Sequence, residues 1–319
     1  MYPQGHLPLT DQPWGVAGVR RESRGAFADS RYFYVDPTNT TFQATDFNSG
    51  EDPEHPLLTI QRAVTLARSY QGDVIYVLCN DGWQYGTMTD VIMSESVIIP
   101  RTKPGLHLVG IGHGSMGVYW RPAATGGTCL TINALDTEVE GFCLTTIGYA
   151  AGNGIVVNWN IGTLNGDNPH IHHCVFDTSV DIAIQLEFVY NAHIHDCEFW
   201  ECDTVGIYTD PAGSASQFAN IHDNIFHNCT AAIAMSELDD SQIHDNSFYN
   251  ARAIGALACP GAGIDLSAGT NNQIFANVFS CLLPAAANGD WDDFNNGGGA
   301  TNAWIGNLCL NGTAVTTPT

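Results

Sequence analysis

The sequence predicts an all-β solenoid, a parallel β-helix with three short strands per turn. Two recurring phrases and the composition predict it. The first phrase reads Ile171-His-His-Cys-Val-Phe176, then Ile194-His-Asp-Cys-Glu-Phe199, Ile221-His-Asp-Asn-Ile-Phe226, Ile243-His-Asp-Asn-Ser-Phe248 and Ile274-Phe-Ala-Asn-Val-Phe279. A degenerate copy runs from Trp304 through Asn307 to Cys309, and the anchors are 23, 27, 22, 31 and 30 residues apart. The second phrase lies between the copies: Gly154-Ile155, Ala183-Ile184, Gly206-Ile207, Ala232-Ile233 and Gly263-Ile264. Short β-rich phrases at this period mean a stacked coil. Leucine-rich repeats share the period but need Leu at fixed positions and a helical return. A propeller blade needs about 40 residues and four strands. The composition agrees, with 44% hydrophobic residues for a core, 33 glycines for bends and only 13% charged residues.

Taken in order, residues 1–31 form an arm. Pro3, Pro8 and Pro13 interrupt it, it has few periodic apolar residues, and it carries Trp14, Arg20, Arg21, Arg24 and Arg31. Such a segment has little core of its own and is expected to order against a partner. Residues 32–105 form an entry segment. Within it a helix is expected over 57–70, where Ile60, Ala63, Val64 and Ala67 share one face. An open solenoid end exposes core and strand edges, so this helix is expected to cap it. Residues 106–310 form the body, whose identical positions stack about 4.8 Å apart. The Ile and Phe positions become inward columns. Earlier turns are read at Val139/Phe142/Leu144 and at Leu106/Val109/Ile111. Before the last strand of each phrase stand Cys174, Cys197, Asn224, Asn246, Asn277 and Asn307. A bend there favours Asn for its tolerance of left-handed angles, and stacked amides can hydrogen-bond. Residues 283–303 read as a long loop and 311–319 as a Thr-rich tail.

Tyr34-Val-Asp-Pro37, Gly50-Glu-Asp-Pro53 and the run Pro56 to Ala63 resemble the entry segment of the pectin-lyase-like superfamily, and Gly72 to Val77 resembles its first strand. The resemblance covers residues 32–310 and implies a right-handed coil. It does not imply one activity, because this fold hosts lyases, hydrolases, epimerases, adhesins and phage tailspikes. The chain carries 33 acidic against 10 basic residues, and beyond Arg121 only Arg252 faces 21 acids. An acidic, Lys-poor solenoid with an Arg-bearing arm resembles virion proteins of tailed bacteriophages. That resemblance implies a structural protein assembled in the host cytoplasm, anchored to capsid or tail through its arm, commonly as a homotrimer, with its β-helix facing host glycans. Nucleic-acid binding is disfavoured by the charge. No apolar run reaches membrane length, and no basic-then-apolar leader is expected.

Enzymatic readings are weighed against this charge. The superfamily's pectate lyases hold Ca²⁺ on carboxylates and use Arg and Lys on an acidic sugar, and the body offers only Arg121 and Arg252. Of the polygalacturonase pattern only Asp239-Asp240 is present. A glycosidase for neutral sugars needs just two carboxylates, about 5–5.5 Å apart for retention or about 6.5–9.5 Å for inversion. Strand alternation turns Gln185 and Glu187 outward, stacks Tyr208 and Asp210 on the next turn and brings Asp265 later, with Asp239 and Asp240 placed in the same column. Glu187, Asp210, Asp239 and Asp240 are therefore the catalytic candidates, and Gln185, Tyr208 and Asp265 the glycan-binding ones. His172, His195, His222 and His244 form a further column, with His170, His173 and His193 nearby. A straight ladder does not converge on one ion, so a surface ladder without metal, and no cofactor, is expected. The ten Cys are spread through the body, and stacked side chains run parallel, so buried free thiols are expected.

Overall fold

The repeat register builds the molecule turn by turn. A computed structural model describes residues 30–37, 44–78, 92–111, 118–149, 151–158, 166–178, 180–209, 216–235, 237–250, 263–266, 269–281, 294–295 and 301–309. Trp14, Arg20, Arg21, Arg24 and Asp210 lie outside the described residues. The strands make three long parallel sheets. The first has ten strands, from Tyr32–Val35 to Ala303–Ile305; the second has nine, from Met93–Ser94 to Leu308–Cys309; the third has eight, from Val97–Ile99 to Phe294–Asn295. One turn visits them in that order, as in His170–His172, Val175–Phe176 and Ile182–Glu187 before His193–His195 opens the next.

Apolar columns fill the interior. Ile75, Leu108, Val139, Ile171, Ile194, Ile221, Ile243, Ile274 and Trp304 are in register along the first sheet, and all are buried. In the second sheet Phe176, Phe199, Phe226, Phe248 and Phe279 stack with ring centroids 4.9, 4.5, 5.0 and 4.6 Å apart. The small residue of the second phrase sits against this column. A Cβ on Gly206 would lie 2.5 Å from the Ala232 carbonyl oxygen and 3.0 Å from the Phe226 ring.

Two corners carry polar ladders. At the first, Asn246 Oδ1 accepts the backbone N–H of Asn224 at 3.1 Å and its side-chain N–H at 3.0 Å. Asn246 Nδ2 donates to Ile221 O and to Asn277 Oδ1, both at 3.0 Å. Asn307 repeats the pattern under Asn277, and Cys197 N–H donates to Asn224 Oδ1 at the other end. The left-handed backbone does not fall on these Asn residues. It falls one residue earlier, at His173, Asp196, Asp223, Asp245 and Ala276, with φ of 50–55°. Asn is kept for its amide, which satisfies both backbone groups of a buried bend.

The second corner has no uniform residue column in the sequence, because Ser and Asn share its role. There Asn302 Oδ1 accepts Asn272 N–H, Asn272 Oδ1 accepts Ser241 N–H, and Ser241 Oγ accepts Ala219 N–H. A small extra sheet pairs Ser216–Gln217 with Leu238–Asp239 beside it.

Four details differ from the sequence reading. The anchor of the early turn is Leu108, not Leu106; a two-residue slip keeps the same face inward, so apolar patterning does not detect it. Val74–Leu78 is the second strand of its sheet, since Tyr32–Val35 pairs ahead of it. Phe294–Asn295, inside the expected loop, pairs with Ile264–Asp265. The helix, α1, spans only Ile60–Leu66. Thr59 Oγ1 accepts Arg62 N–H at its start, and the Glu95 carboxylate accepts the N–H groups of Ile60 and Gln61. It ends early because Arg68 N–H is taken by Asp73 Oδ2 at 2.7 Å. Its predicted face holds, with Ile60, Ala63, Val64 and Ala67 all buried in the core. Among the described residues six Cys are free and buried, and burial pushes the Cys129 and Cys197 thiols up.

Asp73 is fully buried and also accepts Arg31 N–H at 2.8 Å and Arg68 Nη2 at 2.8 Å. Burial alone would raise its pKa, but Arg68 and the two backbone N–H groups outweigh it and hold the carboxyl below the ordinary value of 3.8. A depressed carboxyl contributes stability above its unfolded pKa and loses it as pH falls through the folded one. Asp73→Asn should therefore cost about 3 kcal/mol at pH 7 and progressively less below pH about 4, measured by denaturant unfolding across pH. Asn246→Ala leaves the buried Asn224 N–H without its acceptor and should cost about 2 kcal/mol, read as a lower urea midpoint at unchanged slope.

Candidate functional site

Two outward faces gather the polar residues. On the third sheet, Val156, Gln185, Tyr208, Ala234 and Asp265 share one register column. Gln185, Tyr208 and Asp265 thus stand together as the alternation predicted, each half-buried. Glu187 lies two positions further along its strand, and its Oε1 accepts Gln185 Nε2 at 2.9 Å. Asn158 pairs beside Glu187. Asn158 Oδ1 and Thr209 Oγ1, at the ends of these strands, are buried oxygens without a hydrogen bond among the described residues.

Asp239 and Asp240 stand elsewhere. Asp239 pairs with Gln217 in the small extra sheet, and its Oδ1 accepts both the N–H and the hydroxyl of Thr270 at 2.7 Å. Asp240 has φ of 50° and shares this left-handed turn position with Asn168, Asn191, Phe218 and Asn271. Both are used by the corner, and neither joins the Gln185 column. The column expectation assumes one continuous strand from Ile233, but that strand ends at Ala234 and Leu238–Asp239 forms a separate one. Arg31 sits at the edge of the first sheet, its guanidinium 3.8 Å from Glu51.

The histidine column lies on the outer face of the first sheet. His172, His195, His222 and His244 stack with centroids 5.0, 4.9 and 5.0 Å apart, and Phe275 continues the stack at 4.6 Å. Each of the later three holds the carboxylate of the following aspartate on Nδ1: Asp196 at 2.7 Å, Asp223 at 2.8 Å and Asp245 at 2.7 Å. The column is a surface ladder over this stretch but not at its start. His172 is only 5% exposed and meets Glu138 and Glu140 from the preceding turn. Its Nε2 lies 3.1 Å from Glu138 Oε1 and its Nδ1 3.5 Å from Glu140 Oε2. His107 and His170 flank the same carboxylates.

Charge and burial compete in this cluster. Burial would raise Glu138, but the hydrogen bond from His172 and the charges of His107, His172 and His170 hold it below the carboxylate range. Burial would lower His172, but Glu138 and Glu140 raise it. His170, without such a hydrogen bond, is pushed down to about 3 by burial and by His172 and His195. Glu138 and Glu140 were missed in the sequence because they precede the clear repeats. Their alternation about Val139, in register with His170 and His172, was the available clue.

A family model described as a right-handed beta helix region matches residues 117–279. The chain belongs to the right-handed β-helix family. The match spans the histidine ladder and the Gln185 column, and it supports the pectin-lyase-like fold. Neither the comparison with curated proteins nor that with solved structures gave a match.

Phe275 already occupies the ladder position below His244 with its ring parallel within 6°. His222→Phe should then keep the stack and lose only an exposed pair with Asp223. It is expected to change stability by less than about 1.5 kcal/mol, checked by thermal melting.

Proposed function

We propose that this right-handed β-helix is a structural surface protein of a tailed-bacteriophage virion, a spike, fibre or capsid decoration. On this reading the segment 1–31 anchors it to capsid or tail, and helix α1 plugs the N-terminal end of the coil. The observation that carries the reading is the unbroken stacking of the Ile, Phe and Asn columns as far as Trp304 and Asn307. Such a prism displays outward side chains at a fixed spacing of about 4.8 Å. The acidic body and the Arg residues clustered near the start support the division between a displayed part and an anchor.

The reading includes contact with host glycan on the third-sheet face, where Tyr208 offers an aromatic surface and Gln185 and Asp265 offer polar groups. It also includes homotrimeric association through the flanks. Ile225, Val278 and Leu308 share one outward column on the second sheet, and Ile225 and Leu308 are exposed. A second reading, a glycan depolymerase, is favoured by one contact, the hydrogen bond that orients Glu187 outward on the same face.

Imaging of the native particle, with and without residues 1–31 of this chain, tests the reading. Incorporation should vanish with the deletion, and a truncated chain that assembles normally overturns it. Tyr208→Ala should weaken binding to host-surface polysaccharide about tenfold, in line with the loss of about 1.4 kcal/mol of contact. Release of sugar by the intact protein that is lost in Glu187→Gln would instead establish the depolymerase.

A further inference from the structure

The first turn of the histidine column assembles what the straight ladder lacks, a set of donors that converge. We propose that Glu138, His170 and His172 form a site for one divalent first-row transition cation, with Zn²⁺ as its probe. One ligand atom from each lies within 4.8 Å of the other two. Donors around a tetrahedral ion at about 2.0–2.1 Å stand about 3.3 Å from one another. Glu138 Oε1 and His172 Nε2 are already 3.1 Å apart, and His170 Nδ1 is 3.9 Å from the same oxygen. Modest side-chain rotation closes the set. Two nitrogens in three donors favour a transition ion over Ca²⁺ or Mg²⁺, which take oxygen. The remaining coordination positions fall to water.

The nitrogens behind the ligands are held as ligating imidazoles require. His172 turns Nδ1 to Glu140 Oε2 at 3.5 Å and to His173 Nδ1 at 2.7 Å. His170 turns Nε2 to His195 Nε2 at 2.5 Å, and His195 in turn holds Asp196. An independent observation comes from His107. It is 6% exposed, and its Nε2 makes no hydrogen bond among the described residues while lying 3.4 Å from Glu140 Oε1 and 3.8 Å from Glu138 Oε1. Two carboxylates this deeply enclosed call for compensating positive charge, and a dication supplies it. The expectation of a metal-free ladder considered only the histidines; it changes once the preceding turn is placed beneath them.

The test uses the full chain without a histidine tag, stripped with EDTA and titrated with Zn²⁺ by calorimetry, with melting followed in parallel. One Zn²⁺ per chain should bind, and the melting temperature should rise with Zn²⁺ but not with Ca²⁺ or Mg²⁺. Glu138→Gln should weaken binding at least tenfold, and so should His170→Asn, a half-exposed position whose loss leaves the core intact. His244→Asn, at the far end of the ladder, should bind as the unmodified chain does. The Co²⁺ form should show visible d–d bands that the Glu138→Gln protein lacks. Absence of stoichiometric binding overturns the proposal. So does binding unchanged in both Glu138→Gln and His170→Asn, or binding lost equally in His244→Asn.

Discussion

Everything in this fold depends on one constraint: a buried bend must satisfy its backbone with a group supplied by the next turn. The Asn224–Asn246–Asn277–Asn307 amides meet it: each accepts from the turn before, and Asn224, Asn246 and Asn277 also donate to the turn after. An isolated buried amide costs free energy, whereas a stacked one is satisfied on both sides. The Ile and Phe columns could slide by a strand period without changing face. The amide ladder cannot, because its bonds join specific rungs. Apolar burial thus supplies the driving force, and the corner amides supply the register.

Most of the body was legible because the fold repeats the same problem many times. The Ile and Phe positions, the stacked amides and the helical face of Ile60, Ala63, Val64 and Ala67 all lie where periodicity placed them. What periodicity missed has a physical cause in each case. Leu108 was displaced by two residues because parity alone does not fix a register. The left-handed positions were attributed to Asn, although the preceding Asp, His or Ala adopts them. Helix α1 is shorter than its apolar pattern because the bond from Arg68 N–H to Asp73 is a tertiary contact that no local pattern records.

The polar faces were legible in part. Gln185, Tyr208 and Asp265 share a column because strand alternation and register are both simple here. Asp239 and Asp240 left that column because an extra strand breaks the turn between the third and first sheets. The acidic partners of His172 were overlooked for a different reason. A repeat is recognised by its resemblance to itself, and Glu138 and Glu140 stand where the chain departs from the consensus. Departures from a repeat are where a solenoid can build chemistry that its regular turns do not contain.

The uneven anchor spacing carries a consequence of its own. Successive turns differ in length by up to nine residues, from 22 to 31, yet Ile243, Ile274 and Trp304 remain directly paired. The extra residues fall in the sequence between paired strands, as between Ser247–Asn250 and Ile264–Asp265, and the columns on either side stay in register. Each turn can therefore gain or lose residues at its rim without renegotiating the interior. Turn length and core register are thus set by different parts of the chain: the stacked columns fix the register, and the connections between strands set the length.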